Sequence, residues 1–294
     1  MPIVSLDQLL KHASDNKYAV GAFVSMNIEV VQAAIAAAEK MGSPVVIRIH
    51  PDVRATTRFD TMCLVARHLA AEASVPVGIS LDHGETLADC VDAIRAGATS
   101  VMLDAAEEPL DDNIRLVREV VNVAQPLGVL VEASVGHMEH GAVQTDDDLA
   151  DVEEAVRLVK ESGATILAPA IGNVHGSAHG EEKATPELNI ARIRALREAT
   201  GVPICMHGGS GTPRPMMRAA TEAGVSLVIL FSDVITAYNK AMIEVYSANS
   251  PGIAIIDALI PAQAAAQVVI EEKMVDLNSA GRSADFWAWA NTKG

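Results

Sequence analysis

The stretch Asn113–Ala133, NIRLVREVVNVAQPLGVLVEA, contains one complete repeat of the pattern that decides the fold. Its first half is amphipathic, since apolar residues recur at helical spacing on one face: Ile114, Val117, Val120 and Val121. Gly128 then ends the helical segment, and an apolar run of strand length, Val129–Ala133, follows directly. We interpret this order of helix, glycine and buried strand as one unit of a parallel α/β fold.

The same pattern recurs along the 294-residue chain. Helical segments end at a glycine before the next strand at Gly42, Gly97, Gly128, Gly163, Gly201 and Gly224. The apolar runs of strand length are Tyr18–Phe23, Pro44–Ile49, Val77–Leu81, Ser100–Leu103, Val129–Ala133, Ala164–Ala168, Pro203–Met206 and Ser226–Phe231. Eight such units predict an α/β protein, a single (β/α)8 TIM barrel over residues 1–294, with functional residues at the carboxyl ends of its strands. A doubly wound sheet is the alternative fold.

Extra helices are predicted after the eighth unit. Two helical segments, Asp257–Asp276 and Ala284–Asn291, belong to a C-terminal extension over residues 257–294. We expect this extension to pack on a neighbouring subunit or across the barrel base.

The composition is that of a chain with a large core and no polyanionic partner. Half of the residues are hydrophobic but only 3% are aromatic, as expected of buried parallel strands and close-packed helices. The net charge of −16 argues against nucleic acid or an anionic membrane as a partner, although local positive groups can still hold an anionic substrate. Because the N-terminus lacks a signal-peptide pattern and Cys63, Cys90 and Cys205 form no paired motif, we expect buried free thiols in a cytoplasmic protein.

Three histidines are predicted to share one rim of the barrel. His83 follows strand three in LDHG, His175 follows strand six in GNVHG, and His207 ends strand seven in MHGGSG. Three imidazoles with an open fourth position are the arrangement of a catalytic zinc site. The sequence therefore predicts one Zn²⁺ per chain, with Co²⁺ or Mn²⁺ as alternatives.

Other polar residues at this rim are candidates for proton transfer and anion binding. Asp82 directly precedes His83, so its carboxylate is either a general acid or base or a group that orients an imidazole. The Gly208–Gly211 turn opens a helix, with Thr212 predicted as its N-cap and Pro213 as its first residue. Such a turn presents N–H groups to a phosphate, and the alternative is an ordinary tight turn.

Two long segments after strands five and six interrupt the regular spacing: Gly136–Asp148 and Gly172–Pro186. Long loops at the functional face are often lids. The candidate lid residues are His137, Glu139, His140 and His179. His12 and His68 instead fall on helical segments, and both are predicted to lie on the surface.

The motifs LDHG, GNVHG and HGGSG, in this order on eight βα units, resemble the class II, metal-dependent fructose-bisphosphate and tagatose-bisphosphate aldolases. The resemblance covers nearly the whole chain, from YAVGAF at Tyr18–Phe23 to NSAGR at Asn278–Arg282. It implies a zinc barrel, usually dimeric or tetrameric, that cleaves a ketose phosphate through a metal-stabilised enediolate. It also implies the ligands His83, His175 and His207, with Asp82 transferring the proton of the hydroxyl at the broken bond.

Several positions depart from the family pattern. Val24 and Ile229 stand where the family has asparagine, Ala105-Ala106 replaces Gly-Ser, and Arg48-Ile49-His50 replaces Gln-x-Ser. Strand five keeps Glu132 but lacks the second carboxylate of the usual Glu-x-Glu. Arg48 and His50 share strand parity and are predicted to face the site. An inward arginine suits a substrate carboxylate, and the alternative for Arg48 is an ion pair with Glu132 or Asp104.

The leading prediction is therefore a metal-dependent aldolase, a lyase acting on a polyhydroxylated ketose, its phosphate or a related keto compound. An epimerase or isomerase on the same barrel and a non-catalytic sugar- or metabolite-binding homologue are the alternatives. The altered contacts predict at most one phosphate on the substrate and poor cleavage of fructose 1,6-bisphosphate. Candidate substrate or phosphate contacts are Gly176, Gly208, Gly209, Ser210, Ser232, Asp233, Arg48 and His50. Asp104 and Glu132 are candidates for orienting the ligands.

Overall fold

A computed structural model of the chain describes residues 2–136, 144–174, 186–249 and 252–292. Eight parallel strands form a closed barrel in sequence order, with the last strand paired to the first. They are β1 Val20–Val24, β2 Val45–Ile49, β3 Val77–Leu81, β4 Ser100–Leu103, β5 Leu130–Val135, β6 Ile166–Pro169, β7 Ile204–Met206 and β8 Val225–Leu230. The predicted (β/α)8 barrel is confirmed, each predicted strand overlaps the observed one, and the doubly wound alternative is wrong.

The helices surround this barrel. They are α1 Leu6–Asp15, α2 Ile28–Met41, α3 Phe59–Glu72, α4 Leu87–Ala96, α5 Leu110–Ala124, α6 Val152–Ser162, α7 Ile190–Thr200, α8 Arg214–Ala223, α9 Ser232–Ala248, α10 Ile255–Asp276 and α11 Arg282–Ala290. All six predicted glycine stops have positive φ, which agrees with their role after a helix. The helices therefore end near the amino ends of the strands, and the opposite ends of the strands carry the site.

Two helices outside the eight units close the base of the barrel. Leu6 and Leu9 of α1 are fully buried with Val20 and Val46 at the lower part of the strands, and Phe286 of α11 joins the same cluster. The long helix α10 packs instead against α9 and α2. The two helices predicted after the eighth unit are thus present, and only α11 crosses the base.

The three cysteines are buried and free, as predicted. None of the helices in the described ranges has the length and apolarity needed to span a membrane.

His12 is not a surface residue, so that prediction was wrong. Only 3% of it is exposed, and its Nδ1 lies 2.9 Å from the Tyr18 hydroxyl. Its ring packs against Phe286 and Trp289 of α11. The helical pattern of α1 marks an amphipathic segment, but it gives no sign that a second helix covers the face that carries His12. His68 is exposed, as predicted.

The buried position of His12 predicts a loss of stability in acid. Burial lowers the pKa of His12 below the usual 6.5, and the positive charge of Arg282 lowers it further. The negative charges of Asp285 and Asp15 raise the pKa but do not outweigh burial. The unfolded chain therefore takes up a proton first, so stability falls as pH drops below about 6.5, by at most about 1.4 kcal/mol per pH unit for one group. The midpoint of thermal unfolding should fall more between pH 7.5 and 5.5 in the wild type than in His12→Gln. His68→Gln is the control, and equal slopes for His12→Gln and wild type would contradict this expectation.

Candidate metal and substrate site

Polar side chains from strand ends on opposite sides of the barrel converge at the carboxyl rim. Asp82 and His83 follow β3, and His207 follows β7 on the opposite side of the barrel. The imidazole rings of His83 and His207 nevertheless lie with centroids only 4.8 Å apart. Asp82, His83 and His207 each offer an atom suited to a metal ion, and these atoms lie within 4.8 Å of one another. The barrel thus brings together three residues predicted from sequence.

His83 is held in a fixed orientation by Asp104 at the end of β4. Its Nδ1 lies 2.7 Å from Asp104 Oδ2, so Nε2 is the nitrogen that can bind a cation. The backbone of His83 has φ 41°, a left-handed conformation that is uncommon for a residue other than glycine. Burial lowers the pKa of His83, but the carboxylates of Asp82 and Asp104 outweigh burial and raise it. Such local strain and fixed orientation are typical of functional positions.

His207 is oriented by a different carboxylate and through its other nitrogen. Its Nε2 lies 2.7 Å from Glu132 Oε1, so Nδ1 is the atom that can bind a cation. The Asn173 side chain donates to the carbonyl oxygen of His207 at 3.0 Å. Burial lowers the pKa of His207, which favours the neutral ring that a metal ligand requires.

Arg48 lies beneath these histidines, and its side chain is fully buried. Its Nε donates to Asp82 Oδ1 at 2.5 Å, and its two Nη atoms donate to the carboxylate oxygens of Glu132 at 2.8 and 3.0 Å. One Nη atom also lies 3.1 Å from the sulfur of Met102. The ion pair with Glu132, one of the two alternatives considered for Arg48, is therefore present.

The guanidinium of Arg48 controls the charge of both carboxylates. Burial raises the pKa of Asp82, but Arg48, followed by His83 and His207, outweighs burial and lowers it to about 2. The same balance of burial and Arg48 lowers the pKa of Glu132. Asp82 is therefore ionised at neutral pH and can accept a proton.

Two glycines beside the histidines allow the rim to close tightly. A Cβ on Gly84 would lie 2.7 Å from the Met102 carbonyl oxygen, and a Cβ on Gly209 would lie 2.3 Å from a methyl of Val228. Neither position has room for a side chain. This close approach of turn and strand explains the glycine directly after His83 and the glycine two residues after His207.

The turn after β7 is fastened to the start of α9. The Ser210 hydroxyl accepts from the backbone N–H groups of Phe231 and Asp233, and the Gly211 N–H donates to Asp233 Oδ2 at 3.0 Å. Lys273 pairs with the same carboxylate oxygen at 2.6 Å, so Asp233 is not an isolated negative charge. Ser232 is the first residue of α9, so the positive end of that helix also lies at this rim.

Helix α8 begins one residue later than predicted. Pro213 is its N-cap and Arg214 its first residue, whereas Thr212 was predicted as the N-cap. Thr212 is buried and its side chain does not cap the helix. The ring of Pro213 fixes the backbone at the start of α8 with a φ of −60°. The prediction of a helix start at this point was therefore wrong by one residue.

His50 lies at the end of β2 beside the histidine cluster. Its ring centroid is 5.9 Å from that of His83, and its Nδ1 accepts from the Asp52 backbone N–H at 3.1 Å. Burial lowers the pKa of His50, so the neutral ring with its proton on Nε2 is favoured. Val24 and Ile229, which replace two asparagines of the family pattern, are buried and apolar.

Part of the predicted site lies outside the described residues. The predicted site residues that the structure does not describe are His137, Glu139, His140, His175, Gly176 and His179. The role of His175 as a third ligand and the lid role of the others therefore stay predictions.

Four residues contribute to the site without having been assigned a role from sequence. The Ser134 hydroxyl donates to Asp104 at 2.7 Å, Asn173 supports His207, and Met102 contacts Arg48. Cys205 lies close to Glu132 and His207 inside the barrel. Two of these roles could have been predicted from the sequence. Ser134 lies two residues after Glu132 on the same strand and so faces the same side, and Asn173 lies two residues before His175.

The described residues fit a divalent cation. Each of the two histidines has one nitrogen fixed by a carboxylate, which is the usual support of a metal-binding imidazole. Asp82, Asp104 and Glu132 carry three negative charges, and Arg48 carries one positive charge, which leaves an excess of two negative charges among these groups. A dication with neutral imidazoles balances that excess.

The closed barrel with this polar rim defines a (β/α)8-barrel enzyme. The chain belongs to the class-II fructose-bisphosphate aldolase family, whose family model matches residues 4–282. The members of this family are lyases, which confirms the predicted resemblance and the predicted enzyme class.

Individual relatives cover most or nearly all of the chain. The fructose-bisphosphate aldolase of Geobacillus stearothermophilus is 36% identical over 97% of this chain and 100% of its own length. The 6-phospho-5-dehydro-2-deoxy-D-gluconate aldolase of Halalkalibacterium halodurans is 38% identical over 82% of this chain and 84% of its own. Among solved structures, the YdjI aldolase of Escherichia coli K12 superposes with a TM-score of 0.84 at 27% identity, over 96% of this chain and 99% of that one.

Proposed function

We propose that this protein is a metal-dependent aldolase that cleaves or forms a carbon–carbon bond in a ketose phosphate or a related keto compound. The observation that carries the proposal is the ionised Asp82 beside His83 and His207, two histidines oriented by Asp104 and Glu132. His83 Nε2 and His207 Nδ1 would bind the cation, with His175 as the third proposed ligand. Zn²⁺ is the proposed ion, with Co²⁺ or Mn²⁺ as alternatives.

When bound, the cation would polarise the substrate carbonyl and stabilise the enediolate left by bond cleavage. The protein supplies the rest of the chemistry. Asp104 and Glu132 each bind one nitrogen of an imidazole and so orient its other nitrogen for the proposed role as a ligand. The side chains of Arg48, Asp82, Glu132 and His207 are almost completely buried, so little water weakens these interactions.

Asp82 is proposed to move the proton of the substrate hydroxyl. Its Oδ1 binds Arg48 and lies 3.7 Å from His83 Nε2, whereas its Oδ2 makes no hydrogen bond to the residues that the structure describes. In the cleavage direction, Oδ2 accepts the hydroxyl proton as the carbon–carbon bond breaks. In the synthetic direction, the same atom returns that proton to the new hydroxyl.

The substrate is proposed to carry at most one phosphate. The N–H groups of Gly208, Ser210 and Ser232, together with the dipole of α9, are proposed to hold one phosphate. The N–H groups of Gly209 and Gly211 already donate to Ile229 and Asp233. His50 adds bulk and an N–H donor at the other side of His83, and Ile229 offers no polar partner to a substrate hydroxyl. The name of the relative from Halalkalibacterium halodurans specifies a phosphorylated sugar acid, and a substrate of that class fits these features. A homodimer or homotetramer in the cytoplasm stays a prediction.

This substrate class predicts a clear ranking of turnover. The value of kcat/KM for fructose 1,6-bisphosphate should be more than about tenfold below that for the best ketose monophosphate or phosphorylated keto acid, which corresponds to about 1.4 kcal/mol of transition-state stabilisation. The physical reason is a buried substrate hydroxyl left without a partner beside Ile229, which costs about 1–3 kcal/mol.

The measurement is product analysis with a panel of these compounds. Two smaller carbonyl products indicate a lyase, whereas a single isomer would indicate an epimerase and an unchanged bound compound a binding protein. Ile229→Asn should improve fructose 1,6-bisphosphate cleavage relative to the matched control Ile235→Asn on α9. A bisphosphate value within tenfold of the best compound would show that these residues do not set the specificity.

A further inference from the structure

Arg48 forms a continuous chain of charged contacts across the barrel. Its Nε binds Asp82, its two Nη atoms bind both oxygens of Glu132, and Glu132 Oε1 also binds His207 Nε2 at 2.7 Å. One guanidinium thus connects the proposed proton-transfer group from β3 with the proposed metal ligand from β7. Each of these side chains is at least 97% buried, so little water screens the contacts.

A direct contact between Arg48 and a substrate carboxylate conflicts with this arrangement. The Arg48 side chain is fully buried, and its three nitrogen atoms already donate to two carboxylates. A substrate carboxylate would have to displace Asp82 or Glu132, which would leave a buried negative charge without its partner.

We propose that Arg48 is a positioning residue: it fixes the Asp82 carboxylate and, through Glu132, the imidazole of His207, without contacting the substrate. This inference rests on the proposed function, since it assigns a role within the same site. Arg48 would therefore influence turnover and the geometry of the bound cation, but not the binding of substrate.

Arginine suits this position for geometric reasons. Its planar fork binds one carboxylate with two Nη atoms while Nε points to a second carboxylate. A lysine keeps the positive charge but has a single nitrogen, so it cannot bind Asp82 and both oxygens of Glu132 in this geometry. Arg48→Lys therefore breaks this set of contacts but keeps a positive charge beside the buried carboxylates of Asp82 and Glu132.

The test compares Arg48→Lys with Arg58→Lys, a matched change in an exposed arginine that pairs with Asp60. Each variant is stripped of metal and reloaded with Co²⁺, and its visible absorption spectrum is recorded without substrate. For Arg48→Lys we expect an altered Co²⁺ spectrum, a kcat at least about tenfold lower and a KM within about threefold of wild type. Arg58→Lys should match the wild type in all three measurements.

Two further variants, Glu132→Gln and the double variant Arg48→Lys/Glu132→Gln, allow the test to proceed even if one variant is obtained in poor yield. Because Arg48 is proposed to act on His207 through Glu132, Glu132→Gln alone should also shift the Co²⁺ spectrum. If Arg48 acts through Glu132, the fold-loss of kcat in the double variant should be close to that of the more damaging single variant. Two independent effects would instead multiply the two fold-losses. Circular dichroism confirms that each variant is folded.

Two results would overturn the inference. An Arg48→Lys variant with a raised KM but an unchanged kcat and Co²⁺ spectrum would identify Arg48 as a substrate contact. Multiplicative losses in the double variant would show that Arg48 and Glu132 act separately. A wild-type protein that binds no Co²⁺ would instead refute the proposed function, so the two failures are distinguishable.

Discussion

Replacing Asp82 with asparagine is expected to lower kcat by about 10²- to 10⁴-fold, the usual contribution of a positioned acid–base group. The asparagine amide has nearly the same shape, but it cannot accept the hydroxyl proton. It also places a neutral group against Arg48 Nε, which now donates to Asp82 Oδ1. The histidines are oriented by Asp104 and Glu132, so the cation content should stay near that of wild type.

The measurement combines steady-state kinetics with elemental analysis of the same preparation. Asp92→Asn, an exposed aspartate on α4, is the matched control and should retain wild-type turnover. Loss of the cation together with activity would show that Asp82 supports the metal site rather than proton transfer. Unchanged turnover would remove Asp82 from the chemistry altogether.

Replacing His83 and His207 with alanine is expected to abolish stoichiometric metal binding and, with it, cleavage. The two changes remove two of the three proposed nitrogen ligands, and a single histidine does not form a zinc site of this kind. They also leave Asp104 and Glu132 without the imidazoles that they now bind. The loss should therefore be seen in metal content before substrate is added.

Elemental analysis of protein purified without a chelator gives the metal content of each variant. His68→Ala removes an exposed histidine from α3 and should leave the metal content at about one ion per chain. A double variant that still binds one ion per chain would contradict the assignment of His83 and His207.

The barrel could be predicted from sequence because every unit carries its own local signal. The stretch that contains α5 and β5 shows a helical stripe, a glycine stop and a buried strand within about twenty residues, and the remaining units repeat this order. His83 and His207 could be predicted for a related reason. Each stands at a strand end beside a glycine, and parallel strands in a barrel bring their carboxyl ends to one rim.

The contacts of Arg48 and His12 could be predicted only in part. Strand parity shows that Arg48 faces the barrel interior, but it cannot show that Asp82 and Glu132 occupy both sides of its guanidinium. That pairing depends on the register of three strands that are distant in sequence. His12 is buried because α11 folds back onto α1, a contact between the two ends of the chain that no local pattern encodes.

The most direct test of the proposed metal-dependent cleavage is a titration of metal-stripped protein with Zn²⁺. The rate of cleavage is measured with the ketose phosphate that the untreated protein cleaves fastest. We predict a negligible rate in the stripped protein and a linear rise that reaches a plateau at about one Zn²⁺ per chain. Full activity in the stripped protein, with its metal content below about one-twentieth of an equivalent, would contradict the proposed function.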